Sequence, residues 1–205
     1  MEVCPVELPG RGIRFKEPLL THLQSLLQAL GPAIVPYLDK PFAFFGHSMG
    51  ALISYELAQT LSQNYGFSPI SLFVSACRAP QLPTTKPPIH TLSDAAFLKE
   101  LRRLNGTPEE VLQNTELMQL RLPMLRADFT VLETYTYTPK LPLHSPITAF
   151  GGWHDQEVSH DELKAWRLHT NVAFSLQMLP GNHFFIHSAQ SHLLQLLCQT
   201  LNQRL

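Results

Sequence analysis

The pentapeptide Gly46-His47-Ser48-Met49-Gly50 constrains the fold of this chain more than any other feature. An apolar run, Phe42 to Phe45, precedes it, and Ala51 to Leu61, with apolar residues at helical spacing, follows it. A G-x-S-x-G sequence between a strand and a helix forms a tight turn that strains the serine backbone and lifts its hydroxyl out of the sheet. Side chains at both glycine positions are expected to collide with neighbouring elements. The pattern therefore predicts a nucleophilic Ser48 at a helix N-terminus, where the helix dipole favours developing negative charge.

Strands and helices alternate on both sides of this turn. Continuous apolar runs predict buried strands, as in parallel sheets covered on both faces, and a first strand is predicted at the start of the chain. The predicted strands are Glu2–Leu8, the run before Gly46, Ile70–Ala76, Ile147–Gly151 and Val172–Leu179. The predicted helices outside the insertion are Leu19–Leu38 (interrupted or capped near Gly31-Pro32), Ala51–Leu61, Ser159–His169 and a C-terminal helix to Asn202. We expect one α/β-hydrolase domain over residues 1–205, with a mostly parallel sheet and helices on both faces.

The alternation stops between residues 84 and 139. Helical patterns at Ser93–Leu104 and Thr115–Tyr135 flank Thr107-Pro108-Glu109-Glu110, which is predicted to be a capping box. An all-helical insertion in an α/β-hydrolase usually covers the active site, so residues 84–139 are predicted to form a lid. Additional scaffold is the alternative.

Composition excludes several classes of function. The chain has 205 residues, a net charge of −1 and 44% hydrophobic residues, so it lacks the basic excess of nucleic-acid-binding proteins. Three widely spaced cysteines predict neither a disulfide framework nor a metal site. No signal peptide or membrane-spanning run is evident, so we expect a cytoplasmic monomer without cofactor or metal.

A serine nucleophile needs a base to take its proton and a carboxylate to orient that base. In this fold the order along the chain is Ser, then Asp or Glu, then His, with the groups collected at the carboxyl ends of the strands. Asp155 follows one predicted strand and His183 follows the next, so Ser48, Asp155 and His183 are the predicted triad. Glu157 remains a rival of Asp155, whereas ordinary structural roles are expected for Asp128, Asp161, His187 and His192, and His47 and His154 occupy variable positions.

The oxyanion formed during acyl transfer needs two backbone N–H donors. One is predicted to be Met49, directly after the nucleophile. The other is expected from a loop after an earlier strand, but the residues before Ser48 contain no HGGG-like or Ala-Gly-Gly segment.

With these residues identified, the sequence resembles the type II thioesterases, the stand-alone editing hydrolases of nonribosomal peptide and polyketide synthases, and the related medium-chain thioesterase of animal fatty-acid synthesis. The segments that carry the resemblance span nearly the whole chain: Leu8-Pro9-Gly10-Arg11, Pro41 to Gly50, Ser75 to Pro80, Leu122 to Asp128, and Gly181 to Phe185.

The resemblance implies hydrolysis of acyl or aminoacyl thioesters held on the phosphopantetheine arm of a carrier protein. Ser48 would attack the carbonyl, His183 would accept the proton, Asp155 would orient His183, and Met49 would donate to the oxyanion. The chain departs from the family at its start, where relatives carry a further strand and a glycine-containing oxyanion loop. We therefore expect impaired activity and a natural start upstream of Met1.

Two other functions remain open. The triad alone is also compatible with an esterase, lipase or acyltransferase that acts on small molecules. A catalytically impaired chain that only binds a synthase is the non-enzymatic alternative.

Overall fold

The computed structural model describes residues 2–204, which form two compact units. The helical unit comprises residues 2–28 and Thr84–Thr136, and the sheet unit comprises Ala29–Pro83 and residues 137–204. The α-helices are α1 (Leu23–Ile34), α2 (Met49–Tyr65), α3 (Asp94–Leu104), α4 (Glu109–Gln113), α5 (Thr115–Glu133), α6 (His160–Lys164), α7 (Phe185–Ser188) and α8 (Gln190–Asn202). No helix within residues 2–204 is both long enough and apolar enough to cross a bilayer.

The sheet unit is built on four parallel strands in the order β1-β2-β3-β4. They are β1 (Ala43–His47), β2 (Ser71–Ser75), β3 (Ile147–Gly152) and β4 (Phe174–Leu179). These strands confirm the parallel sheet and four of the predicted strand positions. Because all four run the same way, their carboxyl ends lie at one edge of the sheet, and the residues that follow them are neighbours.

Both faces of this sheet are covered. On one face Phe73 and Phe150 pack with Leu193 of α8. Leu72 and Val74 point to the opposite face because side chains alternate along a strand, and both are fully buried. Each strand is followed along the chain by its neighbour on the same side of the sheet. Because connections between parallel strands are right-handed, the connecting helices α2 and α6 lie together on that second face.

The helical unit has a hydrophobic core of its own. Phe97 and Leu101 of α3 pack with Leu112 of α4 and Met118 of α5. Arg126 of α5 lies over the Phe97 ring, 4.5 Å from its centroid. The helices α3, α4 and α5 all fall within the predicted insertion 84–139, and its function as a lid stays a prediction.

The predicted strand Glu2–Leu8 is wrong, because this segment has no regular secondary structure. Pro5 lacks an N–H for a strand ladder, and Val3 and Val6 are 77% and 55% exposed rather than buried. The Glu7 carbonyl accepts a hydrogen bond from the Arg14 guanidinium at 2.8 Å, and the Glu7 carboxylate accepts one from the Ile13 amide. This segment is therefore held by side-chain contacts.

Several helix ends also differ from the predictions. Pro108, rather than Thr107, is the N-cap of α4, and no side chain caps that helix, so the predicted capping box at Thr107 is wrong. The predicted helix Leu19–Leu38 is shorter in the structure: α1 begins at Leu23, continues through Pro32 and ends at Ile34, where a 3-10 turn over Val35–Tyr37 follows. The predicted C-terminal helix is divided into α7 and α8 at Ala189. By contrast, the Ser159 capping box with Glu162 is present and starts α6 as predicted.

Candidate active site

Ser48 occupies the turn between β1 and α2 in a strained backbone conformation, with φ 52° and ψ −118°. A non-glycine residue with such angles persists only where the surroundings hold it, and such residues concentrate at functional sites. The Ser48 N–H donates to the Ser75 carbonyl at 2.8 Å, which ties the turn to the end of the neighbouring strand β2. The elbow geometry that the sequence predicted is thus present.

The two glycines of the motif have different roles. A Cβ on Gly46 would lie 2.1 Å from the Gly50 carbonyl oxygen and 2.5 Å from the Ala51 nitrogen, so helix backbone excludes any side chain there. A Cβ on Gly50 would meet nothing within 4 Å among the described residues. The expectation of a collision is therefore correct for position 46 and wrong for position 50, because only Gly46 faces the first turn of α2.

Asp155 and His183, predicted from different strand ends, are hydrogen-bonded. The His183 Nδ1 atom lies 2.9 Å from Asp155 Oδ2. The Asp155 side chain is 0% exposed and the His183 side chain 12% exposed. The second carboxylate oxygen, Oδ1, accepts the backbone N–H groups of Glu157 at 2.7 Å and Val158 at 3.2 Å. The carboxylate is thus buried, fully oriented, and aimed at the histidine.

Close backbone packing holds the loop after β3, which carries Asp155, against the loop after β4, which carries His183. The amides of Trp153 and His154 donate to the carbonyls of Leu179 and Gly181, both at 2.9 Å. A Cβ on Gly152 would lie 2.4 Å from the Asn182 carbonyl oxygen, so this approach requires glycine. The Asp155–His183 contact is therefore set by backbone as well as by side chains.

Met49 begins α2, so its N–H belongs to the first helical turn, whose amides have no intrahelical acceptor. This amide follows the strained serine directly. Within residues 2–204, Ser48 Oγ makes no hydrogen bond to His183, and such contacts are often long before substrate binds.

Sequence reasoning missed the position of His47. Its ring centroid lies 5.4 Å from that of His183, and its Nδ1 atom lies 2.9 Å from Ser75 Oγ. Burial lowers the pKa of His47 to about 4, and the nearby His183 acts in the same direction. The motif treats position 47 as variable, and Ser75 is 28 residues away, too distant in sequence for any local pattern to indicate the contact.

The rival residues have other environments. The Glu157 N–H donates to Asp155, so Glu157 borders the pair through its backbone. The Asp161 side chain is 94% exposed in the first turn of α6. In the helical unit, Asp128 forms a bidentate ion pair with Arg11, and burial raises the pKa of its carboxyl. His187 lies on α7.

The arrangement has the parts that acyl transfer needs: a strained serine at a helix N-terminus, and an imidazole oriented by a buried carboxylate. Because Nδ1 of His183 is hydrogen-bonded to Asp155, Nε2 is the ring nitrogen that can accept the serine proton.

Comparisons with known proteins agree on one family. The family model described as Thioesterase domain matches residues 1–204. Linear gramicidin dehydrogenase LgrE of Brevibacillus parabrevis is 50% identical over 206 residues, which cover 99% of this chain and 78% of LgrE. The structure of ClbQ from the colibactin NRPS/PKS pathway superposes with a TM-score of 0.92 at 32% identity, covering 98% of this chain and 85% of ClbQ. YbtT, a type II thioesterase from the yersiniabactin NRPS/PKS pathway, gives a TM-score of 0.86 at 32% identity, covering 98% of this chain and 82% of YbtT.

Proposed function

Because the chain belongs to the thioesterase family, we propose that it hydrolyses acyl or aminoacyl thioesters on the phosphopantetheine arm of a carrier protein. The observation that carries this proposal is the buried Asp155–His183 pair, 2.9 Å between Oδ2 and Nδ1, beside the Ser48 elbow. The similar proteins ClbQ and YbtT come from nonribosomal peptide and polyketide pathways, whose intermediates are carrier-bound thioesters.

In this mechanism Ser48 Oγ attacks the thioester carbonyl carbon while His183 Nε2 takes the hydroxyl proton. The carbonyl oxygen becomes an oxyanion that accepts a hydrogen bond from the Met49 N–H. Collapse breaks the C–S bond, and the proton on His183 passes to the departing pantetheine sulfur. Water then attacks the acyl-serine with His183 again as base, which releases the carboxylic acid and restores Ser48.

Asp155 contributes by orientation and charge. Its buried carboxylate favours the tautomer with the proton on Nδ1 and stabilises the imidazolium that forms during both steps. The proton on His183 is then delivered to a thiol, a leaving group that needs less protonation than an amine.

LgrE is named a dehydrogenase, whereas the matching family model describes a thioesterase domain and YbtT is a type II thioesterase. The strained serine elbow and the oriented imidazole are hydrolase machinery, so they favour hydrolysis.

The test compares acyl-loaded carrier protein, an acyl-pantetheine thioester and a simple ester of the same acyl group. We expect kcat/KM to be highest for the carrier-bound thioester and to be abolished by Ser48→Ala with the fold retained by circular dichroism. Preference for the simple ester would favour the esterase alternative. A folded protein that binds carrier protein, turns over none of the three substrates and is not labelled at Ser48 by a fluorophosphonate would be a binding partner only.

The residues 84–139 are proposed to shape the acyl pocket as a lid. Their own core of Phe97, Leu112 and Met118 indicates a packed body rather than a loose connection. Enlarging or reducing side chains on α5 should then change acyl-chain preference more than reactivity toward a short activated ester. Equal effects on both substrates would indicate scaffold. A monomer is proposed as the working state, which sedimentation can test.

A further inference from the structure

The His47 ring lies beside three consecutive residues at the junction of the loop after β4 and the start of α7. Its centroid is 5.4 Å from His183, 5.8 Å from Phe184 and 6.0 Å from Phe185. His47 is also covalently joined to Ser48. This one ring therefore connects the nucleophile with the loop that carries the proposed base.

Ser75 fixes the other side of this ring. Its Oγ lies 2.9 Å from His47 Nδ1, and its carbonyl accepts the Ser48 N–H at 2.8 Å. Ser75 is fully buried at the end of β2, so this hydroxyl has little freedom to move. The opposite ring nitrogen, His47 Nε2, is buried without a hydrogen-bond partner among the described residues. The orientation of the ring thus depends on Ser75 and on packing.

We infer that Ser75 and His47 form a positioning pair that holds the His183 loop in register with Ser48, an inference that rests on the proposed function. Neither residue touches the reacting atoms in this scheme. Ser75 orients the His47 ring, and the ring packs beside the His183 ring.

The charge state of His47 suits this position. The groups that act on it are His183, Asp155 and His187, and burial has the largest effect, lowering its pKa to about 4. A neutral ring beside His183 does not oppose the imidazolium that forms during turnover, whereas a charged ring 5.4 Å away would.

A double-mutant cycle tests the pair in the full chain, with an acyl-N-acetylcysteamine thioester as substrate. Ser75→Ala and His47→Phe should each lower kcat by roughly 10-fold, because each variant loses about one hydrogen bond that orients the His47 ring. KM should stay within about twofold of the parental value. The double variant should be no slower than His47→Phe alone, because Ser75 acts through His47.

Ser71→Ala is the matched control. Ser71 is a second fully buried serine on β2 and points to the same face as Ser75, but its hydroxyl has no partner among the described residues. This variant should keep parental kcat. The downfield proton resonance of His183 Nδ1–H should weaken in Ser75→Ala and His47→Phe and persist in Ser71→Ala.

Multiplicative losses in the double variant, or a Ser75→Ala protein with parental kcat, would overturn the inference. If Ser75→Ala does not fold, Ser75→Cys replaces it, because a thiol has a similar volume and forms weaker hydrogen bonds. Ser75→Cys should show the same selective loss of kcat, and a parental kcat in this variant would refute the pair. A parental protein without thioesterase activity would refute the proposed function instead, and the proton resonance would still report on the pair.

Discussion

Asp155→Asn is expected to lower kcat severely while leaving the fold intact, and the hydrogen bonds of Asp155 explain why. Oδ1 accepts two backbone N–H groups, from Glu157 and Val158, and Oδ2 faces His183 Nδ1 at 2.9 Å. An asparagine at this site must keep its single oxygen on the two amides, since they only donate. Its NH₂ group is then forced toward His183.

The asparagine NH₂ group can only donate, so His183 must accept its hydrogen bond through an unprotonated Nδ1. The proton moves to Nε2, the atom that must accept the Ser48 proton, and the base is lost. The corresponding change in other serine hydrolases costs about 10⁴ in kcat, which is about 5.4 kcal/mol of transition-state stabilisation. Because the asparagine has nearly the same volume and keeps both backbone contacts, we expect a small change in the free energy of unfolding.

The assay is steady-state hydrolysis of an acyl-pantetheine thioester, with urea unfolding in parallel. Asp161→Asn is the matched control, because that carboxylate is 94% exposed at the start of α6 and should keep parental kcat. A decrease of less than tenfold in a folded Asp155→Asn protein would refute the tautomer argument and return Glu157 to consideration.

Three further predictions concern the elbow, the base and a buried histidine. Gly46→Ala should prevent correct folding, because its methyl would lie 2.1 Å from the Gly50 carbonyl oxygen, whereas Gly50→Ala should stabilise α2 by about 0.5–1 kcal/mol in urea unfolding. His183→Ala should reduce thioester turnover nearly as much as loss of the nucleophile, and His187→Ala should not; the opposite ranking in one assay would contradict the assignment of the base. Burial lowers the pKa of His169 to about 4, so the unfolded chain binds a proton there below about pH 6.5 that the folded chain does not. The free energy of unfolding should therefore fall as pH decreases from about 6.5 to 4, by up to about 3 kcal/mol from this residue, and a His169→Phe variant with unchanged pH dependence would argue against it.

The sequence was sufficient for those parts of the site that follow from chain order. Asp155 and His183 were predicted as partners because each follows a strand, and parallel strands bring such positions to one edge. The hydrogen bond between them agrees with that reasoning. The Ser48 turn was predictable for a similar reason, since glycine spacing and flanking apolar patterns are local signals.

Other features depend on contacts that no local pattern records. The serine motif gives no role to His47, because the contacts of this ring are with Ser75, 28 residues later, and with His183. The motif glycines were treated alike, although only Gly46 faces helix backbone. Residues 2–8 have strand-like composition, but Arg14 takes the Glu7 carbonyl that a strand ladder would use.

The order of the strands also determines which changes in chain length the site can tolerate. Ser48 follows β1 and His183 follows β4, at opposite sides of a four-stranded sheet whose neighbouring strands are about 4.8 Å apart. The loop after β4 therefore extends back toward β1: the Gly181 carbonyl accepts the His154 amide beyond the end of β3, and the His183 ring lies 5.4 Å from the His47 ring. A residue deleted between Leu179 and His183 would shorten the loop that carries the base. The length of this one short loop therefore limits how closely the base can approach the nucleophile.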